Sequence, residues 1–401
     1  MNHGGPIPLL IVDDDPVFAR LVRQLVLSLG PDLQCTPEWV GTAEKAVSEL
    51  NAHAYELVLL DYNLPDADGL KVLARIRELP GPRQPAVVML TASGSEAVAV
   101  EAMKRGAKDY LTKAGLDLPP LMRALQTALR QKRLADQVEA YHAQIEDDLQ
   151  MARNLQRALL PDRFPSFPRQ VPPAKSAFQF CYRFQPVTTL AGDFFDVLAL
   201  SDTEAAVFIC DVMGHGVRSA LVTAMLRALV EDLAPTTPDP SRFLAELNRR
   251  LAGTLAQAAG TLFATAFYLV ADSAAGHLRY ANAGHPRPLH LSVAEDCVRP
   301  LPLPAAAGPA LGLFGEAKYI TGQCPISVGD RVLFFTDGLI EIAGAGDGKV
   351  FGPPQLLAAT RARLRLPTEQ LLDDLIAEAR GAAGGAEFDD DLCLLAMGRA
   401  A

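Results

Sequence analysis

At 401 residues the chain exceeds what one hydrophobic core usually supports, so two domains and a connector are expected. An apolar fraction of 49% is ample for folded cores, and a net charge of −10 without clustered Lys and Arg argues against nucleic-acid binding. The six cysteines (Cys35, Cys181, Cys210, Cys297, Cys324, Cys393) show no CxxC spacing and read as buried, reduced thiols of a cytoplasmic protein. Residues 1–8 lack the basic and apolar regions of a signal peptide, and no apolar run approaches the ~20 residues that would span a membrane.

From residue 8 to 130, short apolar runs alternate with amphipathic stretches. Residues 9–12, 57–60 and 87–90 predict buried parallel strands, with weaker strands at 33–39 and 109–111. Residues 16–29, 43–52, 69–79, 95–105 and 118–130 predict helices. This is a doubly wound α/β domain of five parallel strands, whose ligand site lies beyond the carboxyl ends of the strands.

No Pro or Gly interrupts residues 123–160, and Leu134, Val138, Tyr141, Ile145, Leu149, Ala152, Leu155 and Leu159 recur at three- and four-residue steps. One long helix is expected to leave the first domain, either pairing as a coiled coil, the preferred reading, or lying on its own domain, since Asp148 and a phase slip near Lys132 spoil a strict heptad. Pro161 ends it, and the Pro-rich run 161–173 reads as an extended connector.

Strands then follow at 177–185, 194–200, 205–211, 262–271, 277–283, 289–291, 331–336 and 392–397, with helices at 218–233, 241–258 and 368–379. Many strands with a few long helices predict an α+β domain of packed sheets flanked by helices. The expected divisions are 8–130, a helical linker and connector at 131–173, and 174–399.

Two sets of aspartates stand where these strands end. Asp13 and Asp14 follow the first strand and Asp61 the third, and parallel neighbours bring such ends together. Three carboxylates repel one another unless a cation sits among them, so a divalent ion on hard oxygen ligands is expected. Thr91 and Lys113 follow later strands and supply a hydroxyl and a cation to a phosphoryl group. Alone, Asp13 is explained as a helix cap, Thr91 as a turn hydroxyl and Lys113 as a solvated charge; all five in order at strand ends are not.

The second set is Asp193 in A-G-D-F-F-D at 191–196, Asp211 in D-V-M-G-H-G at 211–216, Asp337 in T-D-G at 336–338, and Asp390 in F-D-D-D-L at 388–392. Gly214, Gly216 and Gly338 permit tight turns that let a metal approach main-chain carbonyls. Two ions a few ångströms apart polarise a phosphoryl oxygen and supply hydroxide near neutral pH.

The first set resembles the response-regulator receiver domain, through I-V-D-D-D at 11–15, L-L-D-Y-N-L-P at 59–65, L-T-A at 90–92 and Y-L-T-K at 110–113. That resemblance implies that Asp61 accepts a phosphoryl group from a sensor histidine kinase. It also implies Mg²⁺ held by Asp14, Asp61 and the carbonyl of Asn63 with help from Asp13, a switch pair of Thr91 and Tyr110, and a phosphate contact from Lys113. Ala114 stands where the family usually has a proline, often cis; a non-proline cis bond costs about 3 kcal/mol, so a trans peptide is expected there.

The second set resembles the PPM-type serine/threonine phosphatases, specifically their bacterial SpoIIE-like branch, from residue 149 to 397. M-A-R-N-L-Q-R-A-L-L-P at 151–161, N-A-G-H-P at 282–286 and L-G-L at 311–313 add to the match. By resemblance Asp211 bridges two Mn²⁺ or Mg²⁺ ions with the Val212 carbonyl as a further ligand. Asp337 and Asp390 complete one shell, Asp193 serves the other, and Asp196 and Asp391 are further candidates. Cys393 replaces a usual hydroxyl residue. His215 and His285 could act as general acids, but each lies in a Gly-bounded turn and reads as structural.

The resemblance implies a phosphoserine or phosphothreonine protein as substrate, an anti-sigma-factor antagonist in a partner-switching circuit, and a homodimer joined through the linker helix. A rival reading is an adaptor that binds a regulatory protein through a catalytically weak phosphatase fold. It predicts missing ligands, and none of Asp193, Asp211, Asp337 or Asp390 is missing.

Overall fold

The structure, a computed structural model, describes residues 5–30, 33–92, 96–255, 262–304, 307–341, 351–384 and 388–400. The chain divides into two compact units, Met1–Glu146 and Asp147–Ala401.

In the first unit, β1 (Ile7–Val12), α1 (Pro16–Leu27), β2 (Cys35–Val40), α2 (Ala43–Ala52), β3 (Leu57–Asp61), α3 (Gly69–Arg77), β4 (Ala86–Thr91), α4 (Glu96–Lys104) and β5 (Asp109–Thr112) alternate before α5 (Leu118–Arg157). The strands form one parallel sheet, ordered β2-β1-β3-β4-β5, as the β/α alternation predicts. β3 and β4 are buried along their whole length, which is why they read as continuous apolar runs. β2 carries Pro37 and the exposed Glu38 and Trp39, which an edge strand tolerates. Acidic and hydroxyl side chains start the helices: Asp15 accepts from the Val17 amide at 2.8 Å, and Asp68 accepts from the Lys71 amide at 2.9 Å.

α5 is one uninterrupted helix of 40 residues. Its first half buries Leu121, Ala124, Leu125, Ala128, Leu129 and Lys132. The unit runs past residue 130, where Arg133 of α5 pairs with Glu56 at 3.2 Å. The phase slip near Lys132 thus has a cause: Lys132 ends the face packed on the first unit, while Leu134, Val138, Tyr141 and Ile145 lie on another face and are exposed.

In the second unit, β6 (Phe178–Gln185), β7 (Asp193–Ala199), β8 (Glu204–Val212), α6 (Val217–Leu233), α7 (Pro240–Leu255), β9 (Ala264–Asp272), β10 (His277–Ala283), β11 (Leu289–Ser292), β12 (Cys297–Pro300), β13 (Gly322–Pro325), β14 (Arg331–Phe335), α8 (Pro353–Ala362), α9 (Thr368–Ala382) and β15 (Leu392–Arg399) build two antiparallel sheets, β13-β10-β9-β8-β7 and β12-β11-β14-β15-β6. Side-chain alternation makes four layers. Phe208 and Cys210 of β8 face α6 and α7, whereas Val207 and Ile209 join Phe334 and Cys393 in the core that contains residues of both sheets. Leu392, Leu394 and Ala396 of β15 pack against α8 and α9. Cys393 is fully buried.

Candidate functional site

The first site follows from strand register. Val12 pairs with Leu60, so Asp13 emerges beside Asp61; Asp61 pairs with Leu90, and Thr91 with Thr112. Oxygens of Asp13, Asp14 and Asp61 lie within 4.8 Å of one another, the only such acidic group among the described residues. Asp13, Asp61 and Thr91 are buried, while Asp14 and Asn63 are exposed. Lys113 Nζ stands 2.7 Å from Asp13 Oδ2 and 2.7 Å from Asp61 Oδ2. Burial raises the Asp61 carboxyl, with Lys113 opposing it; burial works against the charge on Lys113, and the two carboxylates outweigh that.

The backbone around Asp61 is crowded. A Cβ on Gly69 would sit 2.3 Å from the Asp61 carbonyl oxygen, so this helix start requires glycine. Asp66 holds the same loop to α2, accepting from the amides of Ala43 and Glu44 at 2.9 Å each. Tyr110 points outward, 46% exposed, and the Lys113–Ala114 peptide is trans. Trp39, which the sequence did not mark, donates its indole N–H to the Asp13 carbonyl at 2.8 Å.

The second site gathers at one edge of the sandwich. Asp193 and Asp211 are directly paired across β7 and β8. Asp337 follows β14 and Asp390 precedes β15, and these ends meet closely: a Cβ on Gly338 would lie 2.1 Å from the Asp391 carbonyl oxygen and 3.1 Å from that of Asp390. A Cβ on Gly192 would lie 2.6 Å from the Val212 carbonyl oxygen and 2.8 Å from that of Gly214. Burial, then the charges of Asp337, Asp390, Asp391 and Glu341, push the Asp211 carboxyl up to about 7. Burial and then Asp211 raise Asp193 well above the ordinary range, and burial and then Asp390 raise Asp337. Mutually destabilised carboxylates beside closely packed main-chain carbonyls are an all-oxygen donor set of the kind a hard divalent cation takes, but no three of these carboxylates come within 4.8 Å of one another as those of the first site do. Asp211, Asp337, Asp390 and the Val212 carbonyl would hold it.

The two further aspartates have other partners. Asp391 accepts from the Val187 amide at 2.8 Å with one oxygen and from the Gly192 amide at 2.7 Å with the other, stapling the loop before Asp193. Asp196 shares the helix-facing side of β7 with Phe194 and lies near Arg227, away from the cluster. His215 is exposed. His285 is buried, its Nδ1 2.8 Å from Thr265 Oγ1 and its main chain held twice by Asn282. Burial lowers its pKa to about 3, so near neutral pH it carries no imidazolium proton to give.

Two residues that stand in the quoted motifs, but to which the sequence assigned no role, shape this site. Thr336 donates its hydroxyl to Asp193 Oδ2 at 2.6 Å and accepts from the Cys393 amide at 3.0 Å. Gln156 bonds both main-chain groups of Ala191. A groove of about 580 Å³ runs beside Asp337, lined also by His285, Phe335, Glu341 and Leu356.

Comparison with known proteins agrees with this division. Residues 201–400 match the Stage II sporulation protein E (SpoIIE) family and residues 9–140 the response regulator receiver domain. The chain is 25% identical over 276 residues to Protein IcfG of Synechocystis, covering 63% of this chain and 41% of that protein. It is 27% identical over 195 residues to phosphoserine phosphatase RsbP of Bacillus subtilis, covering 48% and 45% respectively. The chain therefore spans less than half the length of each of these two relatives. In structure it is similar to the SiaA-PP2C domain of Pseudomonas aeruginosa, with a TM-score of 0.54, 24% identity, and 64% of this chain and 98% of that one covered, which shows the fold. Among the described residues no helix is long and apolar enough to cross a membrane. The chain thus joins a response-regulator receiver domain to a PPM-type phosphatase domain of the SpoIIE family.

Proposed function

We propose that this protein is a response regulator in which phosphorylation of Asp61 by a sensor histidine kinase controls a metal-dependent protein serine/threonine phosphatase. The observation that carries the reading is the placement of Asp193, Asp211, Asp337 and Asp390 on one sandwich edge, with Asp211 raised to about 7 by burial and then by its acidic neighbours. A pair of Mn²⁺ or Mg²⁺ ions bound there would polarise the phosphoryl group and supply hydroxide. The chain's own part is positional: Thr336 orients Asp193, Asp391 staples the loop that precedes it, and the groove beside Asp337 receives the peptide flanking the phosphoresidue.

In the receiver, Asp14, Asp61 and the Asn63 carbonyl would hold Mg²⁺ with Asp13, and Lys113 would move from Asp13 and Asp61 to the incoming phosphate. Thr91 and Tyr110 would carry the switch. The substrate is a phosphoserine or phosphothreonine protein, an anti-sigma-factor antagonist by family resemblance; RsbP bears the name phosphoserine phosphatase. The exposed stripe Leu134, Val138, Tyr141 and Ile145 on α5 suits pairing with a second copy.

The test is Mn²⁺-dependent hydrolysis of a phosphoserine protein by wild type, Asp211→Ala and Asp61→Ala. Wild type should be active, Asp211→Ala inactive, and Asp61→Ala active but unresponsive to receiver phosphorylation. A wild type inactive across metals and receiver states would refute the enzyme.

A further inference from the structure

The last matched pair of β1 and β2 is Val12 with Val40, and Thr42 already caps α2. Asp13 therefore stands one residue beyond the ladder, yet each of its polar groups is held. Its amide donates to the Val40 carbonyl at 3.1 Å, its Oδ1 accepts from the Asp15 amide at 3.0 Å, and its Oδ2 meets Lys113 Nζ at 2.7 Å. The carbonyl has no strand residue left to answer it. Among the described residues its donor is the indole N–H of Trp39, at 2.8 Å. A side chain thus adds one bond to the sheet where the main chain has turned away.

That carbonyl belongs to the peptide joining Asp13 to Asp14. Asp14 is exposed, and among the described residues its carboxylate has no hydrogen bond or ion pair. Its place therefore follows from the main chain on either side. Asp15 is fixed by capping α1, accepting from the Val17 amide at 2.8 Å, and the Asp13 carbonyl is fixed by Trp39. A turn of the Asp13–Asp14 peptide plane would move Asp14, while Lys113 and the Asp15 amide still hold the Asp13 carboxylate. Core packing does not account for Trp39, which is 46% exposed on an edge strand.

We infer that Trp39 is a positioning residue, whose indole N–H fixes the Asp13–Asp14 peptide plane and so sets the Mg²⁺ affinity of the receiver site. This deepens the receiver half of the proposed function and rests on it for the identity of the ion. Trp39→Phe keeps an aromatic ring and loses the donor. Trp39 is also the single tryptophan, so growth on benzothienylalanine exchanges that N–H for sulfur at this position alone, whereas fluorotryptophan retains it.

The test uses the full chain as wild type, Trp39→Phe, and the benzothienylalanine and fluorotryptophan forms. Calorimetry measures Mg²⁺ binding, with the isotherm of an Asp61→Ala chain subtracted to remove heat from the second unit. Phosphorylation of Asp61 by phosphoramidate, whose phosphoryl group passes to a carboxylate oxygen as ammonia leaves, is followed against Mg²⁺ concentration. The Mg²⁺ dissociation constant and the half-saturating Mg²⁺ should both rise about fivefold in Trp39→Phe and in the benzothienylalanine form, as loss of one hydrogen bond implies. Rates at saturating Mg²⁺ should stay within about twofold of wild type, and the fluorotryptophan form should match wild type throughout. Wild-type Mg²⁺ affinity in the benzothienylalanine form overturns the inference, whatever its melting temperature. So does an equal loss of affinity in the fluorotryptophan form, or a wild-type isotherm identical to that of Asp61→Ala. If wild type binds Mg²⁺ but takes no phosphoryl group, the response-regulator reading fails alone, and calorimetry still decides the role of Trp39.

Discussion

Gly192→Ala separates positioning from ligand chemistry, because Gly192 supplies no side chain to a metal. Its added methyl would stand 2.6 Å from the Val212 carbonyl oxygen and 2.8 Å from that of Gly214. Both obstacles are main chain, so neither can swing aside as a flexible side chain would. Reaching ordinary contact requires a displacement of roughly 0.5–1 Å of the 191–193 segment or of the Val212 turn. A misplacement near 1 Å costs about 10²-fold in rate when reacting groups are held in fixed geometry. Hydrolysis of p-nitrophenyl phosphate should therefore fall between about 10- and 100-fold at saturating Mn²⁺. Gly253→Ala is the control: it lies exposed in α7 with nothing near its missing Cβ, and should stabilise the helix by up to about 1 kcal/mol without changing hydrolysis. Wild-type activity and Mn²⁺ dependence in Gly192→Ala would refute the reasoning.

Thr336→Val keeps shape but strips Asp193 of a buried donor and the Cys393 amide of an acceptor; a loss of about 3 kcal/mol is expected, checked by denaturant unfolding, and less than 1 kcal/mol would contradict that role. The single tryptophan, Trp39, is bonded to the Asp13 carbonyl, so its emission should change saturably with Mg²⁺; constant emission while calorimetry records binding would disprove the link. An acid raised on folding binds its proton more tightly when folded, so the Asp211 contribution to stability is present below about pH 4 and lost as pH rises through about 7. With metal chelated, Asp211→Asn should therefore flatten the fall in melting temperature between about pH 4 and 7, and an unchanged slope would count against it. Ile145→Asp should convert a dimer to a monomer by solution mass, and a monomeric wild type would remove the pairing of α5.

The elements most legible in the sequence were those whose burial is uniform or strictly periodic. α2 and β10 fall on the residues expected, and β3 and β4 lie within one residue of them. β12 and β13, four residues each, carry too little pattern to stand out, and α8 opens on Pro353-Pro354, which reads as a breaker although proline suits a first helical turn. The aspartates were visible because each ends an apolar run. The roles of Thr336 and Gln156 were not, although both stand in quoted motifs: their partners Asp193 and Ala191 are distant in sequence, and a hydroxyl or amide has no local signature of what it bonds. The same holds for Asp391, whose neighbour Asp390 looks identical in sequence, while strand geometry turns Asp391 to the loop at 187–192.

Pairing of β15 with β6 has a consequence for how the protein is made. Among the described residues β6 is an edge strand with β15 as its one sheet partner, and their register joins Gln185 to Leu392. At about 5–20 residues per second, a ribosome takes on the order of 10–40 s to travel between them. The receiver sheet is complete once Thr112 has emerged, long before β6 exists. The second unit must wait with β6 unpaired, and Asp390 arrives together with the strand that closes the sheet. A nascent chain can therefore present a finished receiver domain, once the buried half of α5 through Lys132 has followed the sheet, well before the second set of aspartates is assembled, so a chain cut short between Lys132 and Leu392 would carry a receiver without a closed second sheet.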